Sequence, residues 1–206
     1  MDPLLQSLPD ARSLLRGNLP VNASFFLEVF AGACVITLSM LMIGVPSIKP
    51  WDIKFGEQFD VLSEGHFILE LIAQGIIVCA HFGTPCQSMT WARSPQLRSS
   101  SWPEGLPQLS EAQRELVELG NKLLAFSVLC AEMLLDNGAY FSLENPELSW
   151  LWVQHCVVGL MSRVGVALVK FYFKDFLAPW SKPTLILHNM PMLHLLRKSP
   201  MAWMGD

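Results

Sequence analysis

Pro85-Cys86-Gln87 follows directly on the apolar run Ile76 to Phe82. A β-prone run that ends there presents the thiol at the carboxyl end of a strand, where open α/β sheets carry their chemistry. A cysteine so placed can serve as a covalent nucleophile through its thiolate. The competing reading of any single thiol is a small apolar residue filling a loop. Two other strand-like runs end in small or acidic residues: Phe25 to Ala33 upstream, and Phe141-Ser142-Leu143-Glu144-Asn145-Pro146 downstream. Small residues at Ala31, Gly32 and Ala33 let a cofactor approach the backbone closely, although a strand-to-helix turn of small residues needs no ligand. Asp52, about twenty residues past the glycine, stands where an acid grips ribose hydroxyls in Rossmann-like sites. Its alternative is a turn-forming carboxylate. Arg93 and Arg98 follow the cysteine, and with Lys170, Lys174 and Lys182 they form either a local basic rim or part of a mixed solvated surface.

In their order, Phe30-Ala31-Gly32, Pro85-Cys86-Gln87 and Glu144-Asn145 resemble the signature segments of the cytosine-5 DNA methyltransferase family. The likeness runs from Phe25 to Asn189. In that family a Phe-Ala-Gly turn binds S-adenosylmethionine, a Pro-Cys-Gln loop carries the nucleophile, and Glu-Asn-Val holds the cytosine ring. The resemblance implies that Cys86 attacks carbon 6 of cytosine and that Glu144 hydrogen-bonds the ring nitrogen and exocyclic amine. It implies that Asn145 holds a turn, that Arg93 lies on the substrate side, and that Phe30, Ala31, Gly32, Asp52, Asp60 and Pro85 line the cofactor, with no metal required. The implied substrate is DNA, with RNA as the alternative. There are departures: Cys34 replaces a second glycine, Pro146 replaces the valine, and neither the downstream arginine motif nor the Gly-Asn that completes the cofactor site is present in order; Gly120-Asn121 stands too early. The chain also has no room for a large recognition region of the kind base-flipping enzymes use. A separate target-recognition protein is therefore an expected partner, and a degenerate, non-catalytic binding module is the competing function. A plainer reading makes Glu144 an acid at the start of a following helix.

The elements that must position these residues alternate between strand and helix, which predicts an α/β, Rossmann-like methyltransferase fold with a mostly parallel, doubly wound sheet of about seven strands. Residues 1–24 read as a leader with a helical turn or two around Ala11 to Arg16, residues 25–190 as the catalytic domain, and residues 191–206 as a tail. After the first strand come a helix over Cys34 to Ile43 and short strands at Ser47 to Trp51 and Asp60 to Leu62. A helix over Gly65 to Gln74 then leads into the strand Ile76 to Phe82. Ser88 to Ser110 is a polar segment longer than an ordinary connection. Ser110 is the N-cap candidate of a helix over Glu111 to Leu135, which Asn137-Gly138 ends. Then follow a strand at Ala139 to Leu143, a Trp-rich turn or helix over Leu148 to Leu160, and strands at Val166 to Phe173 and Thr184 to His188.

Composition sets the outer limits. Of 206 residues, 51% are apolar and 16% charged, enough for one domain with a real core. A net charge of −4 argues against binding nucleic acid by charge alone. Five cysteines without paired spacing point to a reducing, intracellular compartment and away from structural zinc, with Cys34, Cys79, Cys130 and Cys156 expected in the core. Phe25 to Val45 carries a single charge, Glu28, and meets the length of a membrane span; a small anchored membrane protein is thus a third reading, opposed by the strand-turn-helix pattern inside that window. Trp150, Trp152 and Trp180 either stack on bases or fill a core.

Overall fold

The computed structural model describes residues 2–17, 23–179 and 181–197. Its strands are β1 Phe25–Val29, β2 Ile77–Phe82, β3 Tyr140–Pro146, β4 Ala167–Tyr172 and β5 Pro183–His188. They form one mixed sheet in the order β1-β2-β3-β5-β4. Among the described residues the sheet therefore has five strands where the sequence suggests seven. Its parallel character is confined to part of it, since β1 pairs β2 in parallel while β5 runs antiparallel to both β3 and β4. Contacts divide the chain into two compact units, Met1–Thr84 with Phe126–Phe141, and Pro85–Ala125 with Ser142–Asp206.

In the first unit, β1 and β2 are apolar except for Glu28 and His81, without alternation and almost wholly buried, as parallel strands covered on both faces must be. The segment Ser47 to Trp51 lies along β1 but makes only isolated bridges, Phe26 to Ser47 and Val29 to Trp51. Pro50 has no N–H to donate, so the ladder cannot run continuously. Asp60-Val61-Leu62 is not a strand: Asp60 caps the short helix α4, Val61–Glu64, by accepting from the Leu62 N–H at 3.0 Å. An acceptor side chain followed by a free N–H favours a helix start over extension. Helix α5, His66–Ala73, buries Ile68, Leu71 and Ile72, the apolar stripe of an amphipathic helix. The predicted membrane window is β1, a turn, and the eight-residue helix α3, Val35–Met42. Among the described residues no helix is long and apolar enough to cross a membrane.

The leader belongs to this unit. Helix α1, Pro3–Gln6, places Leu5 in a cluster with Ala31 and Cys34. Helix α2, Ala11–Arg16, sends Arg12 to the Gln58 carbonyl and, at 3.0 Å, to the Glu64 carboxylate. Residues 18–22, Trp180 and the tail beyond residue 197 lie outside the described residues.

In the second unit, the segment after Cys86 contains neither helix nor long strand until α6, Glu111–Asp136, which passes from this unit into the first. Ser110 and Gln113 open α6 with a reciprocal pair: the Ser110 N–H donates to the Gln113 side chain at 3.0 Å, and the Gln113 N–H to the Ser110 hydroxyl at 3.4 Å. The Trp-rich stretch splits into a 3-10 turn, Trp150–Val153, and helix α7, His155–Met161. Cys156 on α7 is exposed, contrary to expectation, whereas Cys34 and Cys130 are buried and Cys79 partly so. Burial pushes the Cys79 thiol up to about 11 and that of Cys130 higher still, so neither is a nucleophile at neutral pH.

Candidate functional site

The small-residue turn after β1 is built from three left-handed residues: Phe30 at φ 57°, Gly32 at 48° and Cys34 at 59°. Only Gly32 adopts this without a Cβ penalty. No heavy atom lies within 4 Å of the place a Gly32 Cβ would occupy, so the turn leaves open space there. The Phe30 N–H donates to the Trp51 carbonyl at 2.7 Å, and the Gly32 N–H donates to the Asp52 carboxylate at 2.9 Å. The second oxygen of Asp52 accepts the Lys54 N–H at 3.0 Å. Asp52 thus meets the glycine turn. Each oxygen accepts a single backbone bond in this arrangement and keeps capacity for a hydroxyl donor. Asp60 does not join them through hydrogen bonds; its carboxylate caps α4.

Glu28 is the unforeseen residue of this half. It is 4% exposed and accepts from the Thr37 N–H at 2.7 Å and the Thr37 hydroxyl at 2.5 Å. A carboxylate inside an apolar strand is the signal that could have found it. Burial raises its pKa, and the Thr37 bonds pull the other way. Glu28 therefore ties the first turn of α3 to β1 and fixes where the glycine turn must travel. Cys34, the departure from the family pattern, is 2% exposed, with its thiol in the cluster around Leu5 and Ala31. Gly83, at the end of β2, donates its N–H to the Val29 carbonyl at 3.0 Å, and a Cβ there would meet the Phe30 carbonyl oxygen at 3.0 Å. The end of β2 at Gly83 thus lies beside the start of the turn at Phe30.

Cys86 and Pro85 are half-buried. The Cys86 carbonyl accepts from the Met89 and Thr90 N–H groups, each at 2.9 Å, which closes a tight turn over the thiol-bearing residue. Arg98 locks that turn from behind. It is 1% exposed, so the expectation of a rim cation is wrong for this residue. Its Nε donates to the Ser88 carbonyl at 2.9 Å, one Nη to the Ser88 hydroxyl at 3.0 Å and the Val117 carbonyl at 3.1 Å, and the other to the Pro103 carbonyl and Asn121 side chain, both at 2.7 Å. Burial lowers its pKa to about 10, still cationic at neutral pH. Gly120 is required against this cluster, because a Cβ there would collide with the Ser88 hydroxyl. Gly120-Asn121 is therefore part of the loop's anchor.

The stretches that follow Cys86 and Glu144 meet through their backbones. Thr90 bridges Ser149 antiparallel, with the Trp91 N–H donating to the Leu148 carbonyl at 3.1 Å and the Trp150 N–H to the Met89 carbonyl at 2.8 Å. Glu144, Asn145 and Pro146 lie within β3 and pair with Ile186, Leu185 and Thr184 of β5. Asn145 accordingly holds no turn, and Glu144 is no helix N-terminal acid: the paired strand β5 keeps both extended. Asn145 is 1% exposed and donates to the Glu144 carbonyl at 3.2 Å. Half-buried Glu144 pairs with Lys182 at 3.3 Å, a cation that nothing in the sequence marks as its partner. Lys170 pairs with Glu147 at 2.6 Å, and this bond raises the lysine's pKa. Trp152 fills the core and donates to the Pro146 carbonyl, while Trp150 packs on Trp91. Among the described residues no group of three or more His, Cys, Asp or Glu is placed to hold a metal ion. No protein-family model matches the chain, and no curated protein does.

Proposed function

We propose that the chain is an S-adenosylmethionine-dependent methyltransferase of the cytosine-5 type, with Cys86 as its nucleophile and DNA as its substrate. The observation that supports this reading is that the Pro-Cys-Gln and Glu-Asn segments belong to one compact unit, in which Thr90, three residues past Gln87, bridges Ser149, four residues past Asn145. The residues of the first unit fit the cofactor. Gly32 leaves open space, the Asp52 carboxylate beside it suits ribose hydroxyls, and Ile53, 62% exposed, offers an apolar face to a planar ring. Phe30 and Ala31 complete that turn, Pro85 enters the nucleophile loop, and Asp60 reaches an adenine amine only by sharing its cap.

Bound there, S-adenosylmethionine supplies an electrophilic methyl group on a cationic sulfur. The Cys86 thiolate forms an Sγ–C6 bond with cytosine, which makes carbon 5 nucleophilic. Glu144 would accept from the exocyclic amine and relay a proton from solvent to the ring nitrogen as the Sγ–C6 bond forms, and Lys182 holds Glu144. Arg93 faces the substrate backbone. When the methylated carbon 5 loses its proton to solvent, the Sγ–C6 bond breaks and the thiolate returns.

Calorimetric titration with S-adenosylmethionine tests the cofactor half. Wild type binds; Asp52→Ala weakens binding about tenfold or more, and Asp52→Asn, which keeps an acceptor for Lys54, weakens it less. Folded wild-type protein that takes up no cofactor contradicts the reading and leaves the non-catalytic module.

A further inference from the structure

Immediately beyond the Cys86 turn, Trp91 lies against Trp150 with ring centroids 4.8 Å apart and planes 33° from parallel. Trp91 nevertheless remains 47% exposed. One side of the pair is therefore open to a ligand. The pair is held firmly. The Thr90–Ser149 bridge fixes both backbones, and Gln96 accepts from the Trp150 indole N–H at 3.2 Å while donating to the carbonyls of Trp91 and Arg93. Two residues on, the Arg93 Nε has no acceptor among the described residues. An exposed rigid ring and an under-used guanidinium thus sit on the same loop as Cys86.

Base stacking is the interaction that such a pair suits, because every nucleobase has a π-face and needs no register. Access to a base face separates the single strand from the duplex, and the chain's charge leaves stacking to supply the affinity. A net charge of −4 gives little of the phosphate neutralisation on which duplex binding depends. Arg98, the neighbouring cation, is buried and wholly hydrogen-bonded, and Lys170 and Lys182 are paired with carboxylates. Stacking on an exposed ring requires bases that are already unpaired.

We infer that Trp91, backed by Trp150 and flanked by Arg93, is a base-stacking platform, and that the substrate is single-stranded DNA whose base next to the target cytosine rests on Trp91. This inference rests on the methyltransferase reading for its choice of substrate; an unpaired cytosine needs no flipping.

Fluorescence anisotropy with a dye-labelled single strand of roughly 12 nucleotides, and with the same sequence as a hairpin duplex, tests it in the Cys86→Ser background, where no covalent adduct forms. The single strand binds at least about tenfold more tightly than the duplex. Trp91→Ala lowers single-strand affinity by about tenfold to a hundredfold while leaving the salt dependence unchanged, and Trp91→Phe retains most of the affinity. Arg93→Gln instead reduces the salt slope by about one. Thermal unfolding of each variant identifies any loss of fold, and the Phe and Gln variants carry the test if Trp91→Ala does not fold. Duplex affinity equal to or above that of the single strand, or affinity unmoved by Trp91→Ala, overturns the platform. Tighter binding to an RNA strand overturns the choice of DNA. Because this readout requires neither cofactor nor chemistry, an intact platform in a chain that cannot methylate sinks only the catalytic reading, and methylation of duplex alone sinks only the platform.

Discussion

Arg98 and His81 are the residues on which the fold's charge economy turns. Arg98 makes five hydrogen bonds from a position 1% exposed, so its removal strips partners from Ser88, Pro103, Val117 and Asn121 together. Arg98→Met is expected to destabilise the chain by about 3–5 kcal/mol in urea unfolding, with Arg98→Lys intermediate because an ammonium cannot span the same acceptors. A loss under about 1 kcal/mol would show that the loop does not depend on it. His81 in β2 is buried, and burial lowers its pKa from 6.5 to about 4. The fold therefore holds it neutral, and its contribution is complete above pH 6.5 and lost as pH falls through about 4. Glu28, its register neighbour on β1, acts oppositely: its raised pKa favours the fold at low pH and fades as pH rises. The difference between wild type and His81→Gln isolates the histidine, since Glu28 and His188 are present in both. Wild type should lose about 2 kcal/mol more than the variant between pH 7 and pH 5, measured by chemical denaturation. Equal losses would mean that the site is not closed to water.

Capping decides much at the scale of elements. Ser110→Ala removes one half of the reciprocal pair that opens α6 and is expected to cost about 1 kcal/mol in thermal or urea unfolding, with Ser110→Asn restoring most of it. The same physics explains what was legible. Ser110, Asn137 and Gly138 mark the ends of α6 through local chemistry, and runs that are apolar except for Glu28 and His81 mark β1 and β2, because buried parallel strands show no alternating polar face. Asp60 misleads because a carboxylate before two apolar residues suits both a strand's end and a helix cap. The distinction lies in the Leu62 N–H, which has no sequence signature. Ser47 to Trp51 reads as a strand by composition, yet Pro50 limits it to bridges. The insertion of β5 between β3 and β4 depends on long-range pairing that periodicity cannot encode. Of the candidate site, the place of Asp52 after the glycine turn is legible from spacing, but its bond to the Gly32 N–H is not; Arg98 and Lys182 could not be found, since a guanidinium in a polar loop and a lysine beside a proline read as surface groups until their partners are known.

Across the whole molecule, Gly32 and Asp52, proposed to hold the cofactor, fall in one compact unit and Cys86 and Glu144 in the other, so the two halves of the proposed chemistry can be tested separately. Cofactor titration addresses the first and oligonucleotide binding the second; methyl transfer requires both. The charge balance belongs to this scale as well. With a net charge of −4, affinity for nucleic acid should rest on stacking and a few cations and show a shallow salt dependence. The most direct measurement is intact-mass spectrometry of the protein incubated with S-adenosylmethionine and a single strand carrying 5-fluorocytosine, whose fluorine cannot leave as the proton does. Methyl transfer through Cys86 predicts a stable protein–DNA adduct carrying one added methyl group, mapped to Cys86 by peptide sequencing and absent from Cys86→Ser. A wild-type chain that is folded and cofactor-bound yet forms no adduct, or an adduct that persists in Cys86→Ser, would contradict it.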